Sequence, residues 1–419
     1  MTHALLLFML WRGPGADSAR VATLLNALAR TDAVVCDLIG DQLGNFRWGN
    51  GTAGLGRFAD APNVQGAKDS LSETIADPRA LSLLVASVGA ENACVRRVAA
   101  KLLGNSTVAA GVLTGLLDDP SPRIRESAAY AAGVGERRDV MAALQRRLTD
   151  ADAAPAAMAA WALGEIQDPT AAPALQSAVR SAAPRVRLAA VWALGEFEDA
   201  AYAKDVLPFL RDQDPVMRAE AAEALGQMKG PRVGPALVGA LTDRNDAVRL
   251  AAVHALSDVQ EPSAAGPLEA LLINDSNVEV RRECANALGN LNLARSLEPL
   301  ARALADADLE VRREAANAIE NLNDVSKAPA ALVRAATSPD LELRRNATKA
   351  LAHIADATTA PVLAERLSDD DKDVRLAAVE GLGEMRVASA ISGLTRALND
   401  RDPEVRRAAA EALGKTQDN

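Results

Sequence analysis

Aromatic side chains are scarce in this sequence, 3% of 419 residues, although hydrophobic residues make up 49%. The apolar content is therefore chiefly Ala, Leu and Val, which excludes a thick aromatic core and implies closely packed helices. Histidine occurs only at His3, His254 and His353, and cysteine only at Cys36, Cys94 and Cys284. There is no Cys-x-x-Cys pair and no metalloprotease motif, so nothing in the sequence marks a catalytic or metal centre. Basic charge is also short. A net charge of −10 and a pI near 5.1 argue against nonspecific attraction to nucleic acid or to an anionic membrane, both of which need a basic footprint. Long hydrophobic runs are missing as well. The apolar segment Ala4–Trp11 has eight residues, too few to span a bilayer.

What is present is repetition. From residue 95 to the C-terminus a pattern Val-Arg-x-x-Ala-Ala-x-Ala-Leu-Gly recurs every 29 to 32 residues. Its Arg, or the replacement, falls at Arg96, Arg125, Ala156, Arg187, Arg218, Arg249, Arg281, Arg312, Arg344, Arg375 and Arg406. Eleven units are thus in register. Each unit carries two stretches with apolar residues three and four apart, the spacing of amphipathic helices, and no stretch alternates as a strand does. Asp214-Pro215 and Asp402-Pro403 read as an N-cap followed by the first helical position. Gly164, Gly195, Gly226, Gly289, Gly383 and Gly414 are expected to close helices as C-terminal caps.

These repeats resemble the HEAT repeats, in particular the short HEAT-like type of phycobilisome lyases, over roughly residues 80 to 419. The resemblance implies an all-α fold, a right-handed α-α superhelix or HEAT-like solenoid, with the Val-Arg helices along the concave groove. It licenses no activity, because one fold hosts many functions. Neither His254 nor His353 is followed by Glu, so the His-Glu iron ligands of the HEAT-repeat hydroxylases have no counterpart. The expected reading is non-enzymatic, a scaffold that binds a protein partner along the groove, with no cofactor and no membrane insertion of the mature chain. A phycobilin-lyase-like or other ligand-handling subunit is the alternative.

Counting from the Val as position one, helical spacing buries positions five, eight and nine and places three, seven and eleven on the opposite face. The Arg at position two is expected to bond the Asp-rich turns, such as Asp243, Asp246, Asp306 and Asp308, as a ladder between neighbouring repeats. Position seven holds Tyr130, Trp161 and Trp192 in consecutive repeats and then His254, giving an expected aromatic stripe about 20 Å long for the partner. Arg282, Arg313 and Arg345 at position three extend that partner-binding row with charge.

The first part of the chain departs from the repeat. Residues 1–20 read as a signal peptide or a first helix, with a lean toward export, and 21–44 as a degenerate repeat. Residues 45–66 form a Gly-rich loop or insertion, whose Gly49-x-Gly51-x-x-Gly54 has no preceding strand and is no dinucleotide fingerprint. The array itself is expected over 67–419. In an oxidising compartment a disulfide between Cys36 and Cys94 would fasten the irregular unit to the array. Cys284, at position five, substitutes for Ala in the core.

Overall fold

In eight of the eleven repeats the second helix begins where an Asp or Asn side chain captures backbone N–H groups that have no partner inside the helix. Asn92 accepts from the amides of Cys94 and Val95, Asp308 from those of Glu310 and Val311, and Asp371 from those of Asp373 and Val374. Asp214 accepts from the Val216 amide at 2.9 Å, and Asp402 from that of Glu404 at 2.8 Å, with Pro215 and Pro403 at the first helical positions. The two caps read from sequence are therefore present.

The computed structural model describes residues 18–30 and 74–417. Among them the regular elements are helices, with one isolated bridge between Ile75 and Ser106. We number the second helices of the repeats. In the unit that ends at Gly230 these are α1 (Ala93–Gly104), α2 (Pro122–Val134), α3 (Ala153–Ile166), α4 (Pro184–Gly195) and α5 (Pro215–Met228). In the unit that begins at Pro231 they are α6 (Asp246–Val259), α7 (Val278–Leu291), α8 (Leu309–Glu320), α9 (Leu341–Ile354), α10 (Lys372–Met385) and α11 (Pro403–Gln417). A shorter first helix precedes each and packs on it, for example Ala110–Leu117 before α2 and Ala265–Asn274 before α7. Within each unit, consecutive second helices lie side by side. An additional helix, Ser18–Leu28, packs Val21, Leu24, Leu25 and Leu28 against the first repeat, and its Ser18 N–H donates to Asp77 at 2.9 Å. It runs through the boundary drawn at residue 20 on sequence grounds.

Positions five and eight of the second helices are buried in all eleven repeats, from Ala99 and Leu102 to Ala409 and Ala412, and Cys284 is fully buried among them. The glycines at position ten do something other than expected. They lie inside the helices, and the left-handed residues that close the repeats are three positions further on and never glycine. They include Gln167, Lys229, Gln260, Asn292, Ala355 and Arg386, with φ between 47° and 52°. Gly164 instead admits the neighbouring helix. A Cβ there would lie 2.6 Å from Cζ3 of Trp192 and 2.9 Å from the Cα of Ala193 on α4. Close approach of two backbones, rather than a turn, is the reason for glycine here. Gly164→Ala is therefore expected to destabilise by about 1 to 3 kcal/mol, as overpacking does. Gly115, in the first helix Ala110–Leu117, has nothing within 4 Å of its missing Cβ. Gly115→Ala is expected to stabilise by about 0.5 to 1 kcal/mol through backbone entropy. Thermal unfolding of the two variants checks the opposite signs.

Candidate binding face

The arginine at position two belongs to the scaffold. Nη1 of Arg125 donates to the carbonyls of Asp119 and Pro120, both at 2.9 Å, fastening the turn that precedes its own helix. Nε and Nη2 then reach Asp150 of the following repeat at 2.7 and 2.8 Å. The same bidentate pair joins Arg249 to Asp275, Arg281 to Asp306, Arg344 to Asp369 and Arg375 to Asp400. Each of these aspartates also accepts from the amide two residues on, as Asp275 does from Asn277 at 2.8 Å. Burial alone would raise the carboxyls of Asp150, Asp275, Asp306 and Asp400, but the guanidinium and amide donors outweigh it and hold them below the usual range. The ladder read from sequence is thus real, with Asp306 in the anticipated role and Asp308 serving as an N-cap. Asp243 offers its backbone carbonyl to Arg249, and Asp246 accepts from Asn277.

Position seven differs from the expected open stripe. Tyr130, Trp161 and Trp192 are at most 7% exposed. Tyr130 and Trp161 stack with centroids 5.4 Å apart, and the indoles of Trp161 and Trp192 cover Gly133 and Gly164 of the preceding repeats. A glycine in one helix leaves a hollow that a large ring in the next fills, and this drives the rings inward. Neighbouring charged positions on α1 and α2, namely Arg97, Lys101 and Glu126, are buried as well.

In the second unit the same face is more open, and its charges are committed to one another. Arg313 donates to Asp340 of the next repeat at 3.0 and 2.6 Å, and Arg345 pairs with Asp371. Both aspartates cap the helices that follow. Where Ser338 stands in the register of the ladder aspartate that Arg312 would meet, Arg313 makes the link instead. Arg282 lies against Glu279 and Glu283 on its own helix. His254 on α6 is 3.6 Å from Glu283 on α7, which also accepts from Asn286. The structure thus brings His254 and Arg282 together through Glu283 and keeps Arg313 and Arg345 in separate pairs. Exposed amides at Asn286 and Asn290 went unremarked as binding residues in the sequence, although their register, positions seven and eleven, identifies the face.

Acid sensitivity follows from these pairs. The hydrogen bond from His254, ahead of those from Arg282 and Asn286, outweighs burial and draws the Glu283 carboxyl from 4.5 down to about 2. Arg313 and a backbone amide likewise lower Asp340 to about 2, and Arg345 lowers Asp371 to about 2. A carboxyl depressed by folding stabilises the protein above its unfolded value, and the contribution is lost as pH falls through the folded one. The melting temperature is expected to fall steeply between pH 3.8, the ordinary value for an aspartate, and about pH 2. In Arg313→Met and Arg345→Met the share of the fall that each pair contributes is lost, so the variants melt lower near neutral pH and lose less across that range, which calorimetry checks.

Cys36, the segment Ala4–Trp11, His3 and the Gly-rich stretch 45–66 lie outside the described residues, and with them the Cys36–Cys94 pairing. Among the described residues no three His, Cys, Asp or Glu side chains are placed to hold a metal ion, and no helix is long and apolar enough to cross a membrane.

Pairs of helices stacked in register, tied by an Arg–Asp ladder and sealed by small residues, define an α-helical repeat protein of the solenoid class. The model of the HEAT repeats matches residues 109–195, 140–211, 178–257, 203–273, 265–352, 298–374 and 360–419, and the chain belongs to that family. No curated protein matches. Among solved structures, an engineered protein is 24% identical over 80% of this chain and 98% of its own, with a TM-score of 0.50. Importin beta is 13% identical over 95% of this chain and 64% of its own, with a TM-score of 0.58. The complex of CpcE and CpcF of phycocyanin lyase from a Nostoc species is 21% identical over 58% of this chain and 94% of its own, with a TM-score of 0.35. At these identities the likenesses show the fold alone.

Proposed function

We propose that the chain is a non-enzymatic scaffold that binds a protein partner on the face carrying positions three, seven and eleven of its second helices. One observation supports this above others. Positions seven and eleven of α7, α9 and α10 are open to solvent and hold Asn286, Asn290, Lys349, His353, Glu380 and Glu384, a different pair on each helix. The buried positions five and eight of the same helices hold small apolar residues, Cys284, Ala287, Ala347, Ala350, Ala378 and the glycine Gly381. Uniform cores with individual faces suit recognition of one extended partner by a stack of near-identical units. The lyase-like alternative needs an aromatic groove for a tetrapyrrole, and burial of Tyr130, Trp161 and Trp192 gives it no support.

The test is capture from extract of the source cells by the wild type and by an Asn286→Arg, Lys349→Glu, Glu380→Arg variant. A second variant, Glu298→Arg, Arg302→Glu, Arg396→Glu, alters exposed residues of first helices and serves as the control. Equal helicity of all three is established first. A protein lost only by the first variant supports the reading; a protein retained by it, or lost only by the control, overturns the assignment of the face.

A further inference from the structure

In ten of the eleven second helices the residue at position six is buried, from Ala100 on α1 to Val379 on α10. On α11 it is Ala410, and it is exposed. The residue seven before the Val position behaves likewise. Leu117, Leu148, Val179, Leu241 and Leu304 are at most 8% exposed, whereas Leu398 is 37% exposed. Arg406 makes the inner half of a ladder contact, its Nη1 donating to the carbonyl of Asp400 at 2.7 Å. Its outward half, which in five other repeats meets an aspartate, is open to solvent. The outer side of α11 therefore carries the groups that join one repeat to the next, and no repeat covers it among the described residues.

The charges along this helix say what fits there. Acids stand at Asp402 and Glu404, bases at Arg406 and Arg407, an acid at Glu411 and a base at Lys415. A second α11 laid alongside in the opposite direction sets the arginines level with its glutamate and Glu404 level with its lysine. Laid in the same direction, like charges meet. Arg407 and Glu411 are 3.7 Å apart within the chain but remain 78% and 68% exposed, so both can turn to a second chain. Ala410 is small, and Gly414 has nothing within 4 Å of its missing Cβ, so two helices can approach closely. A twofold pair uses one surface twice. Head-to-tail stacking would need a bare first repeat, and Ser18–Leu28 packs against that repeat.

We propose that the outer side of α11 docks a second copy of this chain, the two helices running antiparallel and crossing near Ala410, with Arg406 and Arg407 of each copy against Glu411 of the other. Leu398 and Ala410 supply the apolar contact that the same register supplies between repeats. The guanidinium of Arg406 then gains the carboxylate that its ladder position lacks. The pair leaves α7, α9 and α10 open.

The experiment is sedimentation equilibrium of the full chain over a range of concentrations, for the wild type and three variants of equal helicity. The wild type is expected to form dimers. Ala410→Arg sets a large charged group at the crossing and is expected to leave monomers. Glu411→Arg sets bases opposite bases and is expected to weaken the dimer about tenfold, because each contact occurs twice. Arg406→Glu, Arg407→Glu, Glu411→Arg reverses the pattern as a whole and is expected to restore affinity to within about threefold, since exposed pairs of either polarity are worth much the same. A wild type that is monomeric at every concentration overturns the proposal. So does a dimer that Ala410→Arg leaves intact, or a triple variant no tighter than Glu411→Arg alone. The scaffold reading is tested separately by the α7, α9 and α10 variant, which leaves α11 unchanged, so either can fail alone.

Discussion

Replacing Trp161 by alanine is expected to destabilise the first unit by about 4 kcal/mol, in the range of large-to-small changes in a core. The indole is 3% exposed, stacks on Tyr130 at an interplanar angle of 17°, and fills the hollow over Gly133. Its Cζ3 lies 2.7 Å from where a Cβ on Gly133 would be, so the ring stands in for a side chain that the preceding helix lacks. Nothing on Gly133 can move in to fill the space once the ring is gone, and the backbones on either side are already in contact. The aromatic pair is lost too, which adds about 1 kcal/mol beyond buried area. Thermal and denaturant unfolding of the variant check this. A loss below about 1 kcal/mol, typical of exposed sites, would restore Trp161 to the role of a partner-binding residue that sequence spacing suggested.

That reversal shows how far sequence carries and where it stops. The period, the two helices per repeat, the N-caps at Asp214 and Asp402 and the burial of positions five and eight were legible, because each depends on residues within one repeat. The Arg–Asp ladder was legible in kind, since a recurring Arg beside recurring acidic turns has few other satisfactory partners. Contacts between repeats were not legible in detail. Helical periodicity places position seven opposite position five, and only the approach of the next helix, permitted by Gly133 and Gly164, turns that face inward at Trp161 and Trp192. Gly164 and Gly383 were misread as caps because the residues that take the left-handed turn, Gln167 and Arg386, are not types that favour it. Arg313 and Arg345 looked available because their acceptors, Asp340 and Asp371, lie 27 and 26 residues away in the following repeat.

Asp150→Ala is expected to cost about 3 to 4 kcal/mol, because it breaks a buried pair and leaves the cation behind. The aspartate side chain is 1% exposed and that of Arg125 is 10%. Asp150 accepts from Nε and Nη2 of Arg125, from Nη1 of Arg147 at 3.2 Å and from the amide of Asp152 at 3.0 Å, so one substitution removes four hydrogen bonds. Arg125 keeps its two turn carbonyls and one contact to Asp152 at 3.0 Å, too little to replace a two-point carboxylate. The protein itself contains the paired deletion: repeat three has Ala156 in place of the arginine, and the following turn has Ser181, whose hydroxyl accepts from the amide of Ala183. The double variant Arg125→Ala, Asp150→Ser recreates that arrangement one repeat earlier. It is expected to cost less than Asp150→Ala alone, a coupling of about 2 kcal/mol or more read from a double-mutant cycle. Additive losses would mean that Arg125 acts mainly through the carbonyls of Asp119 and Pro120, within its own repeat, and that the ladder is a consequence of stacking rather than one of its causes.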